Sequence, residues 1–177
     1  MRKVGLLLFL TALLAVPASA QNEYPRAELF AGYSMVNSDS TVFHGWDFSI
    51  AGNPHKVFGI VADFGGYYKT IRVLDIDVST STYTFGVGPQ FSYRGSERVT
   101  PFARVLVGAA HFGAGAMGVT ASVNAFAMAF GGGLDVKASK SVAIRVVQVE
   151  DVMTRYEGAT GHDLRLSFGV VFRFGGK

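Results

Sequence analysis

Apolar and polar residues alternate along most of the chain after about residue 26. In Asp163–Phe174 the even positions are all apolar, and the odd positions, apart from Val171, carry charged, polar or small residues. Thr82–Arg94 and Asn124–Lys137 repeat this pattern. Because successive side chains of a β-strand point to opposite faces, a period of two predicts strands with one apolar face and one polar or small face.

Five weaker copies of the pattern bring the predicted strands to eight. Four of them lie in Arg26–Val36, His44–Gly52, Val57–Tyr68 and Val99–Phe112. In the fifth, Val142–Met153, the alternation breaks at Val146-Val147, where a β-bulge would restore the phase. Each run has roughly the 9–11 residues that a tilted transmembrane strand needs.

The predicted connections alternate between short and long. The short ones are polar turns at Asn53–Lys56, Gly95–Arg98 and Ala138–Ser141, and the longer ones are loops at 37–43, 69–81, 113–123 and 155–162. Outer-membrane barrels combine short periplasmic turns with longer outside loops. We therefore predict an all-β protein, an eight-stranded antiparallel up-and-down transmembrane β-barrel.

The main alternative is a soluble eight-stranded barrel of the lipocalin kind, with the apolar face inward. A soluble barrel needs an exterior rich in Lys and Glu, whereas the polar faces here carry mostly Gly, Ser, Ala and Thr, which suit a crowded interior. Aromatic residues also gather near the strand ends of the apolar faces, as in membrane-interface belts. The predicted belts are Tyr33, Trp46, Tyr68, Tyr83 and Phe126 towards the long loops, and Phe58, Phe91, Tyr93, Phe172 and Phe174 towards the short turns.

Helical membrane hairpins are a weaker alternative for segment 105–136, which is apolar enough to span a bilayer. The glycines of this segment, including Gly131-Gly132-Gly133, would each weaken a helix by about 1 kcal/mol relative to alanine. The strand pattern is therefore preferred.

The N-terminus predicts export. Arg2 and Lys3 precede the apolar run Val4–Val16, and Pro17–Ala20 ends in an A-x-A motif. These features are typical of a secretory signal peptide, here residues 1–20, which leaves a barrel domain at 21–177. Removal of two basic residues lowers the 16 basic residues to 14 against 13 acidic ones, a net charge of +1, so nothing indicates nucleic-acid binding. The absence of cysteine excludes disulfides and thiolate nucleophiles.

Several stretches resemble the outer membrane protein A-like β-barrel family. They are Tyr24–Tyr33, Phe85–Arg94, Arg98–Ala103, Ala127–Lys137 and Leu164–Phe174. The resemblance covers the chain from about residue 24 to 174 and implies a bacterial outer-membrane location and a charged lumen that acts as a plug or a gate. Two departures are expected: the peptidoglycan-binding domain of larger relatives is missing, and Gly175-Gly176-Lys177 follow the final aromatic residue.

Charges inside a narrow barrel must be paired, because burying an isolated charge is costly. Closure of the barrel makes the first and last strands neighbours, so Glu28 should pair with Arg173 near the periplasmic end. Across the turn Ala138–Ser141, Asp135 should meet Arg145. We also expect Glu150 to pair with Arg165 near the outer rim, and Arg104 to pair with Asp47 or Asp63. These pairs either fill the interior or gate a pore.

The sequence predicts a structural or porin-like outer-membrane protein with at most a narrow pore for small solutes. The alternatives are surface recognition through the four long loops and the carriage of small apolar ligands. We expect no catalytic residues, metal site or cofactor, since the four histidines show no Ser-x-His or GxSxG context. The expected partners are outer-membrane lipids, lipopolysaccharide and, during insertion, the barrel assembly machinery; the chain is expected to be a monomer without nucleic-acid partners.

Overall fold

In a computed structural model of the protein, the described residues are 24–38, 41–73, 76–116 and 119–176. The regular elements in these ranges are the strands β1 (Ala27–Ser38), β2 (Thr41–Gly52), β3 (Phe58–Val73), β4 (Ile76–Ser92), β5 (Val99–Ala116), β6 (Val119–Lys137), β7 (Val142–Tyr156) and β8 (Ala159–Phe174). The predicted signal peptide lies outside the described residues. Within the described part of the chain, no helix is long and apolar enough to span a membrane.

The eight strands form one closed barrel in which each strand pairs with its neighbours in sequence. The barrel closes where β1 pairs antiparallel with β8, from Ala27 opposite Phe174 to Asn37 opposite Leu164. The predicted all-β, eight-stranded antiparallel up-and-down barrel is therefore confirmed.

The predicted bulge in β7 is also confirmed. The pairing of β7 with β8 shifts between Arg145 and Gln148. Val146 and Val147 are both exposed, at 47% and 41%, whereas two neighbouring strand residues would normally face opposite sides. The extra residue allows Arg145 before the bulge and Gln148 after it to be buried in the interior, at 3% and 0% exposure.

The prediction of four long loops is wrong. Strand β1 continues to Ser38 and strand β2 begins at Thr41, so most of the expected loop 37–43 is strand. The other three expected loops are likewise mostly strand. The strands therefore have 12 to 19 residues rather than 9–11. Threonine, valine and isoleucine in the first three of these segments favour extended structure, so the strands continue further than expected. In the β7–β8 hairpin, Glu157 and Gly158 turn the chain with positive φ angles of 47° and 88°.

The two ends of the barrel therefore differ in construction. The hairpin end carries the β1–β2, β3–β4, β5–β6 and β7–β8 connections, and the turn end carries residues 53–57, 93–98 and 138–141. The amide of Arg26 donates to the carbonyl of Phe174, so the first and last described segments meet at the turn end.

The exterior of the barrel is apolar. Exposed aromatic residues towards the hairpin end are Tyr33, Trp46, Tyr68, Tyr83 and Phe126, and those towards the turn end are Phe91, Tyr93, Phe172 and Phe174. Phe58 is half-buried and packs against Phe91, with ring centroids 5.6 Å apart. Phe64, Phe85, Phe130 and Phe168 are exposed as well, so aromatic residues cover the band between the two groups and are not confined to its ends.

The interior is filled by small apolar residues around charged ones. One buried cluster contains Ala51, Val61, Leu106, Ala129 and Val152. Two glycines make room for larger neighbours: a Cβ on Gly133 would lie 2.7 Å from the ring of Phe102, and a Cβ on Gly32 would lie 2.7 Å from the ring of Phe30. The rings of Phe30 and Phe102 both lie against the guanidinium group of Arg145.

Candidate functional site

A network of ten charged side chains crosses the lumen. It contains five arginines and five carboxylates, so their formal charges cancel: Glu28, Asp47, Asp63, Arg94, Arg104, Asp135, Arg145, Glu150, Arg165 and Arg173. Each lies at an inward position of its strand, or at the strand's end. The network divides into two clusters.

The central cluster comprises Asp47, Asp63, Arg104, Glu150 and Arg165. Arg104 Nε lies 2.5 Å from Glu150 Oε1, and its Nη2 lies 2.7 Å from Asp63 Oδ2 and 4.0 Å from Asp47 Oδ2. Arg165 contacts the same two acids, at 2.6 Å from Glu150 and 3.1 Å from Asp63. These side chains are at most 2% exposed. The cluster therefore holds three carboxylates against two guanidinium groups, away from water.

The turn-end cluster comprises Glu28, Arg94, Asp135, Arg145 and Arg173. Glu28 accepts from Arg94 at 2.7 Å and from Arg173 at 3.1 Å. Arg145 Nε lies 2.8 Å from Asp135 Oδ1, and Arg173 Nη2 lies 3.9 Å from Asp135 Oδ2. Here three guanidinium groups share two carboxylates, so this cluster has one surplus positive charge where the central cluster has one surplus negative charge.

Gln148 joins the two clusters. Its side-chain oxygen accepts from Arg145 Nη1 at 2.7 Å, and its amide nitrogen donates to Glu150 at 2.8 Å and to Asp47 at 3.1 Å. An amide can satisfy a donor on one side and acceptors on the other, which suits a position between clusters of opposite excess charge. Gln148 and seven of the charges consequently form one hydrogen-bonded network. Glu28, Arg94 and Arg173 adjoin it through the 3.9 Å contact of Arg173 with Asp135, and together these eleven side chains plug the lumen.

Two aromatic rings hold Arg145 in place. The guanidinium carbon lies 4.4 Å from the ring centroid of Phe30 and 4.2 Å from that of Phe102. Such cation–π contacts are favourable by about 0.5–2 kcal/mol where water is excluded. Arg145 is thus fixed by Asp135, by Gln148 and by both rings.

The structure brings together every residue of the expected lumenal pairs. Glu28 lies opposite Arg173 in the β1–β8 register, and Asp135 lies opposite Arg145 in the β6–β7 register. Glu150 and Arg165 are in contact, but their expected position near the outer rim is wrong, because they are 1% and 2% exposed inside the barrel. Arg104 contacts Asp63 directly, Asp47 more distantly, and Glu150, which was not among its expected partners.

Four members of the site were not predicted. Arg94 continues the inward positions of β4 past the strand end, where alternation alone does not show whether a side chain turns into the lumen. Gln148 faces the lumen only because the bulge shifts the alternation of β7 by one residue. Phe30 and Phe102 are aromatic residues on strand faces that otherwise carry small or polar side chains. An aromatic residue at such a position could have indicated a stacking partner for a buried arginine.

A separate cavity lies on the hairpin side of the plug. It has a volume of about 120 Å³, and Tyr67 and Arg165 line it together with Phe43, Phe112 and the threonines 80, 82 and 84. Arg165 Nη1 is 3.5 Å from the hydroxyl of Tyr67. Among the described residues, the buried Thr84 hydroxyl has no hydrogen-bond partner. The lumen thus contains an apolar space with a polar floor above the ionic plug.

The exterior histidines lie apart from this network. His44 is hydrogen-bonded to Tyr33, His111 Nδ1 lies 2.7 Å from Asn124, and His162 Nδ1 lies 2.9 Å from Asp151. All these contacts join neighbouring strands. Within the described ranges, no group of three or more histidine, aspartate or glutamate side chains is arranged to hold a metal ion.

Comparisons with known proteins identify the fold. No family model matches the chain, and no curated protein matches it in sequence. Among solved structures, the chain is similar to Ail, the attachment invasion locus protein of Yersinia pestis, with 18% identity, a TM-score of 0.56, and coverage of 84% of this chain and 99% of that one. It is also similar to neisserial surface protein A, with 12% identity, a TM-score of 0.63, and coverage of 84% and 96%. The third is the N-terminal β-barrel domain of Pseudomonas aeruginosa OprF, with 12% identity, a TM-score of 0.54, and coverage of 85% and 99%. At these identities the likeness shows the shared barrel fold alone.

Proposed function

We propose that the protein is an exported outer-membrane barrel, similar to the outer membrane protein A-like family, whose role is structural. The observation that carries this proposal is the plug of ten buried charges and Gln148. A lumen filled by side chains that are hydrogen-bonded to one another leaves no continuous water path for solutes. The barrel therefore contributes to the integrity of the membrane rather than to transport, and the pairs fill the interior rather than gate a pore.

The exterior supports the membrane location. The outward residues of β8 from Leu164 to Phe174 are apolar, and ten residue steps of a tilted strand rise about 25 Å, the height of the apolar band of outer-membrane barrels. An exposed apolar surface of this size would be an aggregation hazard in water. Lipids and lipopolysaccharide are the partners that this surface fits, and the signal peptide and assembly machinery would deliver the chain there.

Conductance in a planar bilayer tests the structural role. We expect no discrete current steps from the folded protein, with folding checked by the change in gel mobility between unheated and boiled samples. The variant Arg104→Ala/Glu150→Ala removes two central side chains without changing net charge, and should produce small steps. Asp151→Ala/His162→Ala removes a hydrogen-bonded pair from the exterior and serves as the control, which should stay silent. Regular steps from the unaltered protein would contradict the proposal.

The binding of a small apolar molecule is a second candidate function, which the 120 Å³ cavity favours. An engineered apolar cavity of about 150 Å³ can hold benzene, so only a ligand of about that size fits without rearrangement. Thr84 and Tyr67 provide hydroxyl groups for one polar substituent. Phenol is therefore a suitable probe: it should stabilise the barrel against guanidinium, and Ala110→Phe, which fills the cavity, should abolish that effect while Ala109→Phe on the exterior should not. Equal effects of phenol on all three proteins would exclude the site.

Surface recognition is the less favoured alternative. The segments expected to be long loops are strands with short connections, which offer less adaptable surface than loops. We also propose that the protein is not an enzyme, since the exterior histidines are hydrogen-bonded to Tyr33, Asn124 and Asp151 rather than to a serine nucleophile.

A further inference from the structure

The turn end of the barrel opens into a bowl that the structural role does not use. Its volume is about 550 Å³, within the range of ligand-binding pockets. Arg94, Arg173 and Thr100 belong to inward positions and form its floor, and residues of the three turns form its walls. The floor is the outer surface of the turn-end cluster.

The bowl is strongly basic. Among the described residues, five cationic side chains line it against one carboxylate, that of Glu97; the cationic residues are Lys56, Arg94, Lys137, Lys140 and Arg173. Glu28 lies beneath the floor and is shared between Arg94 and Arg173, so it neutralises only one of them. Low-dielectric walls around charges of one sign concentrate the field in a concave site, which would attract an anion.

Two guanidinium nitrogen atoms of the floor make no hydrogen bond within the described part of the chain, although one of them, Arg173 Nη2, lies 3.9 Å from Asp135. Arg94 Nε and Arg173 Nη2 are buried and have no hydrogen-bond partner among the described residues. The two side chains are only 8% and 10% exposed. Leaving a buried donor without a hydrogen bond is unfavourable, and more so when the group is charged. Both side chains line the bowl, so a rotation of either guanidinium group toward the opening would let a ligand oxygen accept a hydrogen bond from these atoms.

We propose that the turn-end bowl binds an oxyanion, a phosphate or carboxylate group held by Arg94 and Arg173 and attracted by Lys137 and Lys140. Guanidinium groups match the geometry of these anions and form their strongest hydrogen bonds with them. If the turn end faces the periplasm, the anion is a periplasmic solute or the headgroup of an inner-leaflet lipid. The site itself depends on the geometry of the bowl and not on the absence of a pore.

Side-chain NMR of arginine provides a direct test. The Nε–H of Arg94 is buried without a hydrogen-bond partner in the described ranges, so a phosphate that turns this guanidinium group toward the bowl should move its resonance downfield when inorganic phosphate is added to the protein in an uncharged detergent. Chloride at equal ionic strength controls for screening, and acetate tests for carboxylate binding. Nanodiscs of phosphatidylcholine alone and with phosphatidylglycerol distinguish the source: a shift that requires phosphatidylglycerol identifies a lipid headgroup, and a shift that requires added phosphate identifies a solute.

Matched charge variants locate the site. Lys137→Gln/Lys140→Gln removes two exposed positive charges that line the bowl. Because these charges attract the anion, its binding should weaken about tenfold. Lys69→Gln/Arg155→Gln removes two positive charges at the hairpin end and should leave binding unchanged. The proposal is overturned if phosphate, acetate and phosphatidylglycerol move the Arg94 resonance no more than chloride does, or if the two double variants weaken binding equally.

Discussion

The central cluster and the turn-end cluster contain the same numbers of charged residues but solve the problem of buried charge differently. In the central cluster two arginines serve three carboxylates, and the side chains are at most 2% exposed. In the turn-end cluster three arginines serve two carboxylates, and the side chains are 4–10% exposed. The deeper cluster is deficient in positive charge, and the shallower one, next to the basic bowl, has an excess of it.

This difference indicates which cluster fixes the barrel and which can take part in binding. Removing one partner of a fully buried ion pair leaves a charge that neither water nor protein can satisfy, whereas a charge near the mouth can regain water. An excess positive charge at the mouth can also be satisfied by an anion. The central cluster is consequently expected to dominate stability, and the turn-end cluster to be more tolerant of change.

Removal of Arg104 should have the largest effect. Arg104→Leu leaves Glu150, Asp63 and Asp47 with Arg165 alone, so the free energy of unfolding should fall by about 3–5 kcal/mol. Trp46 is the only tryptophan and lies exposed on the exterior, so its fluorescence can follow guanidinium unfolding in lipid vesicles.

The double variant Arg104→Leu/Glu150→Leu provides the control for this prediction. It removes one charge of each sign, keeps the surplus of one carboxylate and replaces the pair by apolar groups, so it should recover most of the loss. If the double variant were as unstable as Arg104→Leu alone, the cost would come from lost packing and not from an unpaired charge.

Charge reversal at the turn-end cluster should have an intermediate effect. Arg173→Glu places a carboxylate beside Glu28 and should lower the free energy of unfolding by about 2 kcal/mol, less than Arg104→Leu because this end is nearer water. The exchange Glu28→Arg/Arg173→Glu restores opposite charges but puts a guanidinium beside Arg94 and Asn53, which now donate to Glu28. Recovery should therefore be partial, and more complete with Arg94→Gln. Full recovery without that third change would show that Arg94 does not depend on Glu28.

Strand pairing and the lumenal ion pairs can be predicted from the sequence, whereas the depth of a side chain along the barrel axis cannot. Glu28 and Arg173 could be matched because closure fixes the register of β1 on β8, and Val146-Val147 revealed the bulge because two apolar neighbours break the period. The depth of Glu150 depends on how far the β7–β8 hairpin continues beyond it, and the glycine-containing segment 155–162 does not by its sequence distinguish strand from loop. The partners of Arg104 come from β2, β3 and β7, and contacts across the lumen leave no signal in the alternation of one strand.

The smallest and most informative effect concerns the connection between the clusters. If Gln148 couples the two clusters energetically, the effects of Arg104→Leu and Arg173→Glu on the free energy of unfolding should be non-additive. A double-mutant cycle should then give a coupling free energy of about 0.5 kcal/mol. Gln148→Leu keeps a similar volume but removes the hydrogen bonds to Arg145, Asp47 and Glu150, and should by itself lower stability by about 1–2 kcal/mol. Repeating the cycle with Leu at position 148 should then give additive effects. Coupling that persists in this background would mean that the barrel wall, and not the amide, links the two clusters; additivity in both backgrounds would mean that they are independent plugs.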